Sequence, residues 1–231
     1  MNNIISFKGV TNATMGVYVT TMPSLSTPNE RGEAVPIPGR SGTVWKSENA
    51  WEPITLAIPI WVPPERAYAL SAIKAWLTGQ GPLRLGASAD GYYDARISSG
   101  IEFAPLDYGD GYSATVTMEC YPFRFLDTGL TTITKTAAGS ITNPQPVFSE
   151  PLLAITASGD VEITVGDITF ELTGVSGVIY VDTYKQECYT AAGLANDKMK
   201  GAFPRLLPGA NAISWTGTVT QIVFTPRWMT L

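Results

Sequence analysis

Acid–base chemistry in this chain would have to come from carboxylates, because it contains no histidine. Without an imidazole there is no near-neutral general base, no Ser-His-Asp or Cys-His nucleophile pair, and no metal site that needs a histidine ligand. The carboxylates that fall close enough in sequence to be paired are Glu102, Asp107, Asp110 and Glu119. Two such groups across a cleft could protonate and attack a glycosidic bond. The run Asp107-Tyr108-Gly109-Asp110-Gly111-Tyr112 has turn composition, however, and an Asp beside Gly in a turn is ordinarily solvated. That run and Asp90-Gly91-Tyr92-Tyr93-Asp94 also hint at calcium loops, but both lack the alternating oxygen ligands and closing Glu, so turns are the favoured reading. There is no Walker loop and no G-x-G-x-x-G after a strand. Cys120 and Cys188 stand far apart and outside any Cys-x-x-Cys spacing, and read as two buried, reduced thiols. No catalytic, cofactor-binding or metal-ligating residue is assigned, no cofactor is implied, and the chain is not expected to be an enzyme.

Binding chemistry is narrowed in the same way. Fifteen Lys and Arg stand against twenty Asp and Glu, a formal charge of −5, and residues 1–127 hold 9 basic and 12 acidic side chains. Tight phosphate-backbone binding draws on concentrated Lys and Arg, which no window supplies, so no specific nucleic-acid binding is expected. Trp45, Trp51 and Trp61 could stack on sugar rings, bury at a subunit interface or pack in a core. No run of about 18 apolar residues could span a bilayer, and the start Met1-Asn2-Asn3-Ile4-Ile5-Ser6-Phe7-Lys8 lacks the form of a signal peptide. The chain is therefore expected in water rather than in a membrane, and the sequon Asn12-Ala13-Thr14 reads as a coincidence.

The elements that must position these residues are mostly strands. Ile54, Leu56, Ile58, Ile60 and Val62 alternate, as do Ala114, Val116, Met118 and Cys120, and a period of two puts each set on one sheet face. Val161-Ile163-Val165 and Ile168-Phe170-Leu172 flank Gly166-Asp167, which reads as a type II′ hairpin turn. A second turn is expected at Gly174-Val175-Ser176-Gly177, completing a meander, and Trp215, alternating with Ile213, is expected in the core. One segment, 64–78, has helical spacing through Ala69, Ile73 and Trp76 or Leu77, with Pro64 suited to its first turn and Gly79 to its end.

Residues 21–42 contain Pro23, Pro28, Pro36, Pro38, Gly32, Gly39 and Gly42 and few core candidates, which reads as a long projecting arm. Its end, Pro36, Pro38, Gly39, Arg40 and Gly42, is the candidate oligomer-interface site, Arg40 being suited to bidentate pairing with a neighbour's carboxylate. Between about 127 and 150 the composition turns small, polar and proline-bearing, so two domains are expected, 1–130 and 131–231.

Several landmarks, taken in order, carry a family resemblance. Phe7-Lys8-Gly9-Val10 with Met15-Gly16-Val17, the arm end Val35-Pro36-Ile37-Pro38-Gly39-Arg40-Ser41-Gly42, and Tyr121-Pro122-Phe123-Arg124-Phe125 come first. Asn143-Pro144, Glu150-Pro151-Leu152, Gly159-Asp160-Val161, Tyr180-Val181-Asp182 and Phe203 through Ile213 follow. Together they resemble the distal tail proteins (Dit) of long-tailed, non-contractile bacteriophages, free or resident as prophages. The resemblance implies a mostly β fold: an N-terminal β-sandwich-like domain with one covering helix and a long arm, then a C-terminal galectin-like β-sandwich. It also implies a virion tail-tip protein, assembled in the host cytoplasm as a homohexamer of one ring or two stacked rings. The implied partners are the tail-tube protein, the tape measure protein and a tail-associated hub or adsorption protein. A carbohydrate-binding adsorption module is the alternative, and exposed stacking aromatics on one sheet face would favour it.

Overall fold

The computed structural model describes residues 3–88 and 90–231. The chain is mostly antiparallel strands and divides into two compact units, one running to Arg124 and including Leu231, the other Phe125–Thr230.

In the first unit the alternating segments become neighbouring strands. Ile54–Val62 pairs with Tyr112–Cys120 over nine residues in unbroken register, from Ile54↔Cys120 to Val62↔Tyr112. The inward set Ile54, Leu56, Ile58, Ile60, Val62, Val116, Met118 and Cys120 is buried, with Ile5, Phe7, Leu83 and Leu85 from flanking strands. Thr55, Ala57 and Thr115 on the other face are exposed, the contrast that a half-buried antiparallel sheet imposes. The covering segment differs from the single helix expected over 64–78. Pro64–Ala69 is a 3-10 helix and only Leu70–Trp76 is α-helical. It buries Ile73, Trp76 and Leu77 in the core, and the Trp76 indole N–H donates to the Phe7 carbonyl at 3.1 Å. A four-residue helix, Asn12–Met15, also forms, with the Thr11 hydroxyl accepting from the Thr14 amide as its N-cap.

The second unit is an eight-stranded β arrangement around its own core. Leu152–Val165 and Ile168–Asp182 form one long hairpin whose register closes on Val165↔Ile168, as the Gly166-Asp167 step predicts. The turn expected at Gly174-Val175-Ser176-Gly177 is absent. The second strand runs straight through it, Ser176 facing Ser158 and Gly177 facing Ala157. The positive φ of Gly174 and Gly177 serves a bulge instead: the register shifts between Gly159 and Val161, and the Asp160 carboxylate accepts the Gly174 N–H at 2.8 Å. The third long strand, Gly209–Thr225, lies along the other side of Leu152–Val165 with two shifts of its own. Trp215 is only half buried against that core. Asp182, itself buried, accepts both guanidinium nitrogens of Arg227, at 2.5 and 3.0 Å, and fixes the end of the hairpin.

Candidate assembly surface

The arm is more ordered and longer than a proline-rich loop. Glu30–Pro36 and Thr43–Trp51 pair as a separate two-stranded sheet, from Glu30↔Trp51 to Pro36↔Thr43. The Glu52 amide donates to the Asn29 carbonyl at 2.8 Å, so the hairpin leaves and rejoins its unit at one point. The candidate residues gather at its tip. Pro36 ends the first strand, Pro38 and Gly39 lie in the turn, the Arg40 amide donates to the Ile37 carbonyl at 3.1 Å, and Gly42 precedes the second strand. The Arg40 side chain is exposed and has no partner among the described residues.

Both faces of this hairpin are open. Every residue from Pro36 to Asn49 is exposed, including Ile37, Val44 and Trp45. A lone two-stranded ribbon is marginal in water, so local contacts must carry this one. The Trp45 indole lies on the facing strand at Gly32, where a Cβ would come within 2.7 Å of the ring carbons. Only glycine admits that approach. At the base, the register shift beside Arg31 leaves Glu48 and Asn49 looped out with Asn49 at φ +52°, and the Ser47 hydroxyl accepts the Asn49 amide and donates to Glu30. The Arg31–Glu48 ion pair, at 3.6 Å with both side chains over half exposed, adds little.

A second exposed feature of the same unit is the loop between Ala104–Pro105 and Tyr112–Ser113, two pairs of residues that face each other. The Leu106 amide donates to the Gly111 carbonyl at 2.9 Å, and the Trp61 indole N–H donates to the Asp110 carbonyl at 2.8 Å. Tyr18 lies against Trp61 with ring centroids 5.3 Å apart. At the apex Tyr108 is fully exposed and holds φ +59°.

The carboxylates considered for acid–base work are not assembled into a site. Glu119 pairs with Arg96 at 2.9 Å, Asp107 and Asp110 are exposed on the loop, and Glu102 is exposed ahead of it. Asp90 is exposed, and hydrogen bonding from Arg124 holds its carboxyl below the usual range. Asp94 accepts from the Gln80 side chain at 2.9 Å. Among the described residues no three His, Cys, Asp or Glu side chains converge as metal ligands would. Both cysteines are free and buried, and burial pushes the Cys120 thiol up to about 12 and Cys188 to about 11. Asn12 of the sequon is buried, its side-chain oxygen accepting the Ile5 amide and its nitrogen donating to the Val17 carbonyl, each at 2.9 Å. Trp51 packs edge-on against Phe123 at 5.7 Å, so of the three tryptophans singled out only Trp45 is largely exposed.

Among solved structures, the crystal structure of SPP1 Dit aligns with 97% of this chain and 98% of its own, at a TM-score of 0.72 and 14% identity. The chain has the fold of SPP1 Dit. That protein is described as a paradigm of the hub adsorption apparatus in phages infecting Gram-positive bacteria. The phage p2 baseplate in its activated conformation is also similar, at a TM-score of 0.54 and 11% identity, with 96% of each chain covered. No protein-family model and no curated protein sequence matches the chain. Two surface features of the structure carry no signal in the sequence. One is the returning strand Thr43–Trp51, which carries no alternation of apolar and polar residues. The other is Tyr108, for which no sequence signal distinguishes a strained, outward tyrosine from an ordinary turn residue.

Proposed function

We propose that this protein is a structural hub of a phage tail, a virion component that closes into a homohexameric ring and joins the tail tube to the tail tip. Its partners on this reading are the tail-tube protein, the tape measure protein and a tail-associated hub or adsorption protein, with assembly in the host cytoplasm. The carrying observation is the shared fold with SPP1 Dit over 97% of the chain. The arm supports it further, because a hairpin with both faces open is suited to lie on another subunit. Function placed in rings and interfaces asks for shape rather than titratable groups, consistent with carboxylates that are scattered or tied to arginines.

Solution mass by light scattering tests the reading, with a species about six times the 24.8 kDa chain, or twice that for stacked rings, as the expected result. A monomer at all concentrations would overturn it. The hairpin's role is tested by excising residues 30–51 and joining Asn29 to Glu52 through two glycines, since those two residues already meet. A smaller deletion ending at residue 37 would strand Thr43–Trp51 without its partner. The excised protein should fold and assemble to a lower order.

The alternative, a carbohydrate-binding adsorption module, draws support from one observation. Tyr180 and Tyr189 stack across neighbouring strands of the second unit, centroids 5.0 Å apart and 12° from parallel, both half exposed. A glycan array on the full-length protein decides between the two, as specific glycan capture lost in Tyr180→Ala would favour the module.

A further inference from the structure

We infer that the hairpin tip of one copy docks on the Leu106–Asp110 loop of a neighbouring copy, with Arg40 set between Asp107 and Asp110 and Tyr108 covered by the apolar tip. The inference rests on the ring reading above and names the two surfaces that meet.

Each surface lacks something the other has. From Pro36 to Val44 the tip carries one charged residue, Arg40, together with Pro36, Ile37, Pro38 and Val44, all exposed. From Ala104 to Tyr112 the loop carries two carboxylates and no cation, with Leu106 and Tyr108 exposed beside them. Arginine and tyrosine recur among the residues that dominate interface energy, and a planar guanidinium can serve a carboxylate and a ring face together.

The loop is also built to be presented. Its base is closed by the Leu106–Gly111 hydrogen bond and tethered by the Trp61 indole to the Asp110 carbonyl. Tyr108 nevertheless sits in the left-handed region and buries nothing on its own chain. A strained backbone that aims a large ring at solvent gains nothing in the isolated chain, and such strain tends to accompany a binding role. The tip is held in turn by the Arg40–Ile37 hydrogen bond, and neither partner needs much ordering to dock, which lowers the entropic cost.

The test is a charge exchange in the full-length protein, followed by mass photometry over a dilution series. Arg40→Glu alone, and Asp107→Lys with Asp110→Lys, should each raise the concentration for half-assembly at least tenfold. The three substitutions together should recover most of that loss. Tyr108→Ala should weaken assembly comparably with an unchanged melting temperature, which separates docking from folding. If wild-type protein assembles and either charge variant or Tyr108→Ala matches it, or the combined variant shows no recovery, the docking is wrong while the ring reading stands. If wild-type protein never assembles, the ring reading falls, and the docking with it.

Discussion

Gly166→Val is a sharp test of how the second unit sets its register. Gly166 is the first residue of a two-residue turn and holds φ +59°, a conformation that costs an L-residue about 1–2 kcal/mol and a β-branched one toward the upper end. An added Cβ would stand 3.3 Å from the Asn211 side-chain oxygen, which accepts the Leu207 amide at 2.8 Å, so that neighbour must yield slightly. The Gly166 amide donates to the Ala212 carbonyl at 2.8 Å, and valine keeps that N–H, so the loss measured is conformational. For a unit of this size the penalty corresponds to a fall in Tm of roughly 5–15 °C. Differential scanning calorimetry, with hydrogen exchange at Ile163 and Phe170 to locate the effect, reads it out. Gly166→Asn, which tolerates the left-handed region, should lose least, Gly166→Ala more and Gly166→Val most. Equal stability for Asn and Val would refute the argument, because backbone strain alone separates them.

Asp182→Asn should destabilise the second unit by roughly 3 kcal/mol, since it removes the carboxylate charge from a bidentate pair with Arg227 in a mostly buried site; urea unfolding checks it, and Asp182→Asn with Arg227→Met should regain part of the loss. Cys120 and Cys188 should resist iodoacetamide at pH 8 in the native state and react on unfolding, because burial keeps both protonated. The same raised values make stability fall as pH rises from about 9 toward 11–12, the unfolded chain losing those protons first, which a pH series of melting temperatures checks. The protein should show no micromolar binding to double-stranded DNA at physiological salt in a mobility-shift assay, given a net charge of −5 without a basic cluster.

What was legible in the sequence was whatever a buried core imposes. Ile54 through Val62 alternate because one face of that strand meets the core and the other meets water, and the pattern was enough to place the strand and its face. Gly166-Asp167 was legible because few residues tolerate that turn. Gly174 and Gly177 misled for the same reason: a glycine with positive φ serves a bulge as well as a turn, and only the facing strand, with its shift at Gly159, distinguishes the two. The single helix expected over 64–78 is instead a 3-10 segment, Pro64–Ala69, followed by an α-helix over Leu70–Trp76 only, a difference that spacing over so few residues does not encode.

The proposed assembly surface was half legible, and the reason is physical. Residues 21–42 stood out by lacking core candidates, but Thr43–Trp51 looked ordinary because a strand exposed on both faces has no environment to write a periodicity into it. The pairing that joins the two halves depends on Trp45 lying over Gly32, a contact between residues that no local rule connects. Side chains such as Arg40 and Tyr108 make little contact within a single copy. Their types therefore carry no record of the fold, and on the ring reading they face a neighbouring copy. On that reading the core is legible from one chain whereas the arm's role calls for a second copy, and the charge exchange between Arg40 and the Asp107–Asp110 loop probes a property that stability measurements on an isolated chain would miss.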